Sequence, residues 1–293
     1  MSIVVTTPTG HIGSVVVRKL IEAGADMRVI ARDPNRLDGS VRERVAVFTG
    51  DMFDAEVTRK ATEGAEVLFW LTPPDMQTPN WRAYYERSAE VVSAAVRENR
   101  IPYVVHLSSA GADHPQGWGP VSLLYLVEKA LVETGANVLQ LRPGYFYENL
   151  LFQIEPIKAA NSLFMPVPPE TRYPMLATRD IGEVAAQRLL AKDFRGEEIL
   201  GLHGPAVQPT FGEVAEILGE VLGKPLSYVE IPVEQAKAQM RQMGASESVA
   251  TNYAELYEAL IRGEQPTEPR TPETTTPTTL REWAQQVMRP MVI

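Results

Sequence analysis

Short apolar runs alternate with amphipathic stretches through the first half of the chain. Residues 3–5 are a β-branched run. A Thr-Pro-Thr-Gly turn follows, and then residues 14–23, where Val15, Val16, Leu20 and Ile21 recur at helical spacing with Arg18, Lys19 and Glu22 opposite. Gly24 stands where a helix-ending glycine belongs. Runs at 27–31, 45–48, 67–71, 104–107 and 138–141 read as further strands, and 54–62, 81–98 and 121–134 as helices between them. Strands this uniformly apolar are buried on both faces, the condition of a parallel sheet covered by crossover helices.

The pattern changes after residue 150. Pro166, Pro168, Pro169 and Pro174 mark loop or short strand. Residues 180–190 predict a helix capped by Asp180, with Glu183 three positions on. Residues 198–202 read as one more strand of the sheet, and 210–222 and 232–244 as helices. The Pro-, Thr- and Glu-rich stretch 264–277 is expected to be an extended surface segment, with a last short helix at 278–287.

Composition narrows the chemistry. Among 293 residues there is no Cys, which excludes disulfides, thiolate metal sites and a cysteine nucleophile. The formal charge of −9 opposes broad contact with nucleic acid. No apolar run reaches membrane-spanning length, and the N-terminus lacks the basic region of a signal peptide. A soluble cytoplasmic protein, a monomer or homodimer, is expected. His114 and His203 have no ligand spacing, so no metal is expected.

The segment Thr7-Pro8-Thr9-Gly10-His11-Ile12-Gly13 follows the first strand and opens the first helix. Such a turn lets a pyrophosphate approach the backbone, where helix N-terminal N–H groups and a partial positive charge meet it. Gly10 permits the approach and Gly13 the packing of helix on strand. The usual first glycine is replaced by Thr7, whose β-carbon restricts the turn. Arg32 and Arg36 follow the second strand, where an acidic residue would hold the ribose hydroxyl of NAD and an Arg the 2′-phosphate of NADP. NADP(H) is therefore expected over NAD(H), unless Arg32 merely pairs with Asp33. Asp51 and Met52 follow the third strand, and Leu71, Thr72 and Pro73 the fourth. Asp51 suits the adenine amino group or a helix cap equally.

Taken in order, the segments TPTGHIG from Thr7, ARDPNR from Ala31, GDMFD from Gly50, HLSSAGA from His106, Glu128 with Gly135, LRPGYFYEN from Leu141, TRDIGEVAA from Thr178 and TPTTLREWA from Thr276 resemble the atypical short-chain dehydrogenase/reductase group, and within it the NmrA-like proteins. The resemblance implies an α/β fold: a Rossmann-like doubly wound parallel sheet at 1–150, joined again by 177–203. A smaller, mainly α C-terminal lobe at 151–176 and 204–293 would close a cleft over the nicotinamide. It also implies NADPH-dependent reduction of quinones or dyes, or a redox-sensing regulator that binds the nucleotide without turnover.

Short-chain dehydrogenases use a Tyr and a Lys four residues on. Tyr125 and Lys129 have that spacing, but the Glu128–Gly135 match places the dyad at Pro120 and Leu124. The helical wheel agrees: Leu123, Leu124, Val127, Ala130 and Leu131 form the apolar face, and Ser122, Tyr125, Lys129 and Glu133 the polar one. No catalytic residue is assigned. Two options are left: hydride transfer, without that dyad, to a small apolar or aromatic acceptor such as a quinone, or nucleotide binding with no turnover. Ser108, with Ser109 beside it, is a candidate for orienting the acceptor. Tyr145, Phe146, Tyr147 and Asn149 are candidates for an aromatic wall, with Phe152, Phe164 and Met165 behind them. Trp81, Tyr84 and Tyr85 suit either the pocket or helix packing, and His106 is expected to be a satisfied core residue.

Overall fold

The computed structural model describes residues 2–205 and 207–293. Strands β1 (Ser2–Val5), β2 (Asp26–Ala31), β3 (Ala46–Thr49), β4 (Val67–Leu71), β5 (Tyr103–Leu107) and β6 (Asn137–Pro143) fall where apolar periodicity placed them. Four short strands and one longer one follow: β7 (Tyr145–Phe146), β8 (Ser162–Met165), β9 (Met175–Leu176), β10 (Glu197–Leu202) and β11 (Ser227–Glu230). The sheet has seven parallel strands in the order β10-β6-β5-β4-β1-β2-β3. β10 is thus the extra strand expected at 198–202. The smaller pairs β11-β8 and β7-β9 are also parallel.

The helices are α1 (His11–Glu22), α2 (Gly39–Arg42), α3 (Ala55–Thr62), α4 (Trp81–Asn99), α5 (Pro120–Val132), α6 (Ile154–Ala160), α7 (Thr178–Ala191), α8 (Phe211–Leu222), α9 (Val233–Gln242), α10 (Glu247–Ile261), α11 (Leu280–Trp283) and α12 (Arg289–Val292). Ile3, Val5, Phe69, Val105 and Leu139 face α1 and α7, meeting Val16, Leu20, Ile181 and Leu189. The alternate residues Val4, Leu68, Trp70, Val104 and Val138 face α4 and α5, meeting Val92, Val96, Leu123 and Val127. Both faces are therefore covered, which is why the strands are apolar throughout. A third core, with Trp118, Tyr147, Phe211, Leu218 and Trp283 fully buried, unites α8, α11 and the loop before α5. Among the described residues no helix is long and apolar enough to cross a membrane.

Four expectations are corrected. Asp180 does not cap α7: it lies inside the helix, and its carboxylate accepts from Thr278 N (3.0 Å) and Thr278 Oγ1 (2.6 Å). Glu148, from a distant segment, accepts from Thr178 N at the helix start instead (3.0 Å). Ser122 is buried, its hydroxyl accepting from Trp118 N (3.1 Å), so it leaves the polar face of α5. Residues 264–277 are irregular but pinned, with Glu268, Thr274 and Thr276 buried. Finally, α10 is not among the expected helices. Its buried positions are mostly small (Val249, Ala250, Ala254, Ala259), so they make no apolar stripe. Small residues are needed because α10 crosses close over the start of α5. A β-carbon on Gly119 would lie 1.8 Å from the carbonyl oxygen of Asn252.

Candidate functional site

Parallel strands end on one edge, so the segments after β1 to β6 meet there. The loop after β1 leads to α1 and β2, while β4 lies on β1's other side. This divergence opens the crevice where α/β sheets hold ligands. Thr6 ties its two lips together: its hydroxyl donates to Phe69 O (3.1 Å) and accepts from Leu71 N (3.1 Å). Thr7 has φ +52°, the left-handed conformation that favours glycine, at a cost of about 1–2 kcal/mol for a residue with a β-carbon. The turn therefore keeps its shape without its usual first glycine, and the Thr7 carbonyl accepts from Gly10 N (3.1 Å).

Gly13 has no such latitude. A β-carbon there would stand 2.1 Å from Thr7 O, whereas one on Gly10 would touch only that oxygen, at 3.5 Å. Gly13 thus lets α1 sit against the turn, and Gly10 leaves the approach to it open. No side chain caps α1 and its first turn holds no acid, so its leading amides present a free positive end. His11 is exposed at this end, with Ile12 and Gly13 buried beneath it. The hydroxyl of Thr7 is buried and without a partner among the described residues.

The second strand exit carries the exposed Arg32 and, on the short turn Pro34–Arg36, Arg36. Neither guanidinium has a carboxylate partner among the described residues. Asp33, the alternative partner of Arg32, accepts from Asn35 N (3.0 Å). Asp51 holds its own turn by accepting from Phe53 N (2.9 Å); α3 is capped by Asp54. Met52 is buried. Tyr84 donates to Pro73 O (2.8 Å) and sets its ring edge against Phe53 at 4.7 Å. Burial, then the charges of Asp75 and Asp51, push its phenol upward, and Arg32 opposes them. Leu71 is half-buried, and the Thr72 hydroxyl is committed to Ser88 of α4 (2.7 Å).

At the other end, Ser108 extends β5 by donating N–H to Leu141 O (2.8 Å), and its hydroxyl is buried without a partner among the described residues. Tyr145 is half-buried with its ring edge-on to Phe211 at 5.7 Å. Phe146 packs toward the α1–α7 core. Tyr147 departs from the expected wall: it is buried in the third core, 5.8 Å from Trp283. Asn149 lies half-buried on the 3₁₀ turn Tyr147–Gln153. Phe152 is largely exposed and Met165 is core. On α5, Lys129 is exposed and reaches Glu133 at 4.0 Å; Tyr125 is half-buried.

Sequence reasoning missed an ionic cluster beside this end. Arg142 on β6 is buried and donates to both oxygens of Glu128 on α5 (2.9 and 2.7 Å) and to Glu268 (2.9 Å). Glu268 also faces Gly111 N, and Asp113 lies 3.6 Å from Arg142. Burial opposes the guanidinium charge, but the hydrogen bonds and charge of Glu128 and Glu268 outweigh it and raise its pKa. Glu128 and Arg142 both sit in recognisable segments, yet nothing in the sequence pairs them with Glu268. Next to them, His106 Nδ1 bonds Gln140 Oε1 (2.8 Å), while its Nε2 has no partner among the described residues. Burial lowers the His106 pKa, keeping the ring neutral. The expectation of a satisfied histidine is thus half right.

Residues 1–284 match the NmrA-like family. The chain is 30% identical over 259 residues to an NAD(P)H azoreductase of Xenophilus azovorans, covering 87% of this chain and 86% of that one. It superposes on the triphenylmethane reductase of a Citrobacter species, solved with NADP(H), with a TM-score of 0.79 at 20% identity over the full length of both chains. The NADPH-dependent quinone oxidoreductase of Escherichia coli, solved with NADPH, gives 0.75 at 18% identity over 98% of this chain and 99% of that one. At these identities the two structural likenesses show the shared fold.

Proposed function

The chain belongs to the NmrA-like family, and from that premise we propose that it is an NADPH-dependent reductase of small aromatic or otherwise conjugated acceptors. One observation carries the reading: an uncapped helix N-terminus under a tight turn, with two unpaired guanidinium groups at the next strand exit. The fit to a phosphorylated dinucleotide is supported by the open approach at Gly10 and the unpartnered hydroxyls of Thr7 and Ser108. The amides from His11 to Gly13 hold the pyrophosphate. Arg32 and Arg36 hold the 2′-phosphate, and Asp51, Met52 and Pro73 border the adenosine. When bound, the dinucleotide supplies the hydride; the protein supplies orientation and a pocket from which water is excluded. The azoreductase relative supports a conjugated acceptor.

Arg32→Ala with Arg36→Ala is expected to weaken NADPH binding roughly 10- to 100-fold, the scale of lost charge-assisted hydrogen bonds, and to leave NADH nearly unchanged. Titration calorimetry with both coenzymes measures it; equal losses for the two would remove the 2′-phosphate assignment. Oxidation of NADPH by a panel of quinones, azo compounds and triphenylmethane dyes, followed at 340 nm, tests turnover. The reductase reading fails when no acceptor exceeds the protein-free rate.

The reaction proceeds without the Tyr125–Lys129 spacing, a reading supported by the ion pair that holds Lys129 toward solvent. Tyr125→Phe is expected to keep kcat within about twofold. A loss of about 100-fold or more, the scale of general acid catalysis, would assign Tyr125 the proton-donating role after all.

A further inference from the structure

Helix α10 lies against the segment after β4 and the starts of α4 and α5. Its N-terminal cap residue, Ser246, donates N–H to Met76 O in the segment after β4 (2.9 Å). Ser248 Oγ accepts from Trp81 N, the first amide of α4 (3.0 Å). Asn252 sits against Gly119, which caps α5. Helices α4 and α5 are the elements that follow β4 and β5, so α10 lies on the edge of the sheet where those strands end. Tyr145, two residues past β6, packs against the same core as Tyr257 of this helix.

Two tyrosines of α10 point into this seam. Tyr253 packs on Trp81 with ring centroids 5.4 Å apart, and Tyr257 lies 6.3 Å from Tyr253. Tyr257 and Tyr145 border the third core, and Tyr253 the α4–α5 core, so the three rings line the junction of two cores. None of the three hydroxyls has a hydrogen-bond partner among the described residues, and none is sealed from solvent. These three are half-buried and leave their hydroxyls to solvent, whereas packed tyrosines normally place theirs on an acceptor. Tyr84, Tyr173 and Tyr228 do so here, each on a backbone carbonyl. Three unpaired donors gathered on aromatic walls are the complement of a flat ligand with acceptor atoms on its rim.

We propose that Tyr145, Tyr253 and Tyr257 form the acceptor pocket, stacking a planar conjugated molecule and donating hydrogen bonds to oxygen or nitrogen atoms on its edge. Burial, and then the neighbouring phenols, hold the Tyr145 and Tyr257 hydroxyls protonated far above neutral pH, so they remain donors. This assignment deepens the reductase reading and rests on it for the identity of the ligand.

The test uses 1,4-naphthoquinone without coenzyme, read by quenching of tryptophan emission. Naphthalene, which has no acceptor atom, is the control. Trp81→Phe should remove the saturable part of the quenching, since Trp81 adjoins Tyr253. Each of Tyr145→Phe, Tyr253→Phe and Tyr257→Phe should raise the naphthoquinone Kd about 3- to 10-fold and leave naphthalene unaffected, the scale of one lost hydrogen bond. Melting temperatures should not move, because these hydroxyls support nothing in the protein. Tyr173→Phe, which removes a donor to Ala110 O, should lower the melting temperature without touching Kd.

An unchanged Kd in the triple Phe variant, or no saturable quenching in the parent protein, overturns the pocket. The two readings also fail separately. Naphthoquinone binding that depends on the phenols, with no NADPH oxidation, keeps the pocket and removes the reductase. NADPH oxidation with an unchanged KM in the triple variant does the reverse.

Discussion

Arg142→Met is expected to destabilise the protein by about 3–5 kcal/mol, because it strands the carboxylates of Glu128 and Glu268 in the interior. Both side chains are 4% exposed, so water cannot replace the lost donors. The damage is also directional. Glu268 anchors the segment that passes over Gly111 and Asp113, and Thr267 fixes the same segment by donating to Asp113 (3.0 Å). Releasing Glu268 unties that segment from the loop after Ser108. Chemical denaturation gives the free energy. Hydrogen exchange should show early opening at 264–276 while β1, β2 and β4 stay protected. The triple exchange Arg142→Met, Glu128→Leu and Glu268→Leu should recover most of the loss, since it removes the charges together. A single variant as stable as the parent would show that the cluster is solvated.

Gly13→Ala is expected to abolish dinucleotide binding. Its methyl group would lie 2.1 Å from Thr7 O and 2.8 Å from the Thr7 carbonyl carbon, both backbone atoms that no rotamer change moves aside. Either α1 shifts from the turn or the turn leaves its left-handed residue. Both alter the direction of the amides at the helix start. Overpacking of this kind costs about 1–3 kcal/mol or more in stability. Calorimetry with NADPH and NADP⁺ should detect no binding at concentrations saturating the parent, while circular dichroism stays that of a folded α/β protein. Gly10→Ala, with room for its methyl in the free protein, should keep full stability and lose affinity alone. Retained affinity in both variants would move the phosphate site away from α1.

The strands and most long helices were legible because a side chain's period is a local property. Val67 to Leu71 could be read as a doubly covered strand from its own residues. Thr210 with Glu213 could be read as a helix start, and the capping box is present. The tight turn at Thr7–Gly13 was legible for the same reason: it is seven residues long and its shape is set by its own backbone. What failed was non-local. Asp180 has the form of a cap, but Glu148, 30 residues before Thr178, accepts from the Thr178 amide at the helix start, and Thr278 claims the Asp180 carboxylate. Tyr147 and Tyr145 stand two residues apart with the same composition around them; one is sealed in the third core, the other half-buried at its edge.

By itself, then, the order of residues determined a doubly covered parallel sheet, the turn at Thr7–Gly13 and the pair of arginines beyond the second strand, since each depends on neighbours a few positions away. Tertiary structure alone decided that Glu268 neutralises Arg142 across 126 residues, that α10 lies over the starts of α4 and α5, and that its Tyr253 meets Trp81. Such contacts depend on where a segment is carried by everything folded before it. A glutamate in a Pro-rich stretch, or a tyrosine on a helix lined with alanine, bears no local mark of the partner it will meet.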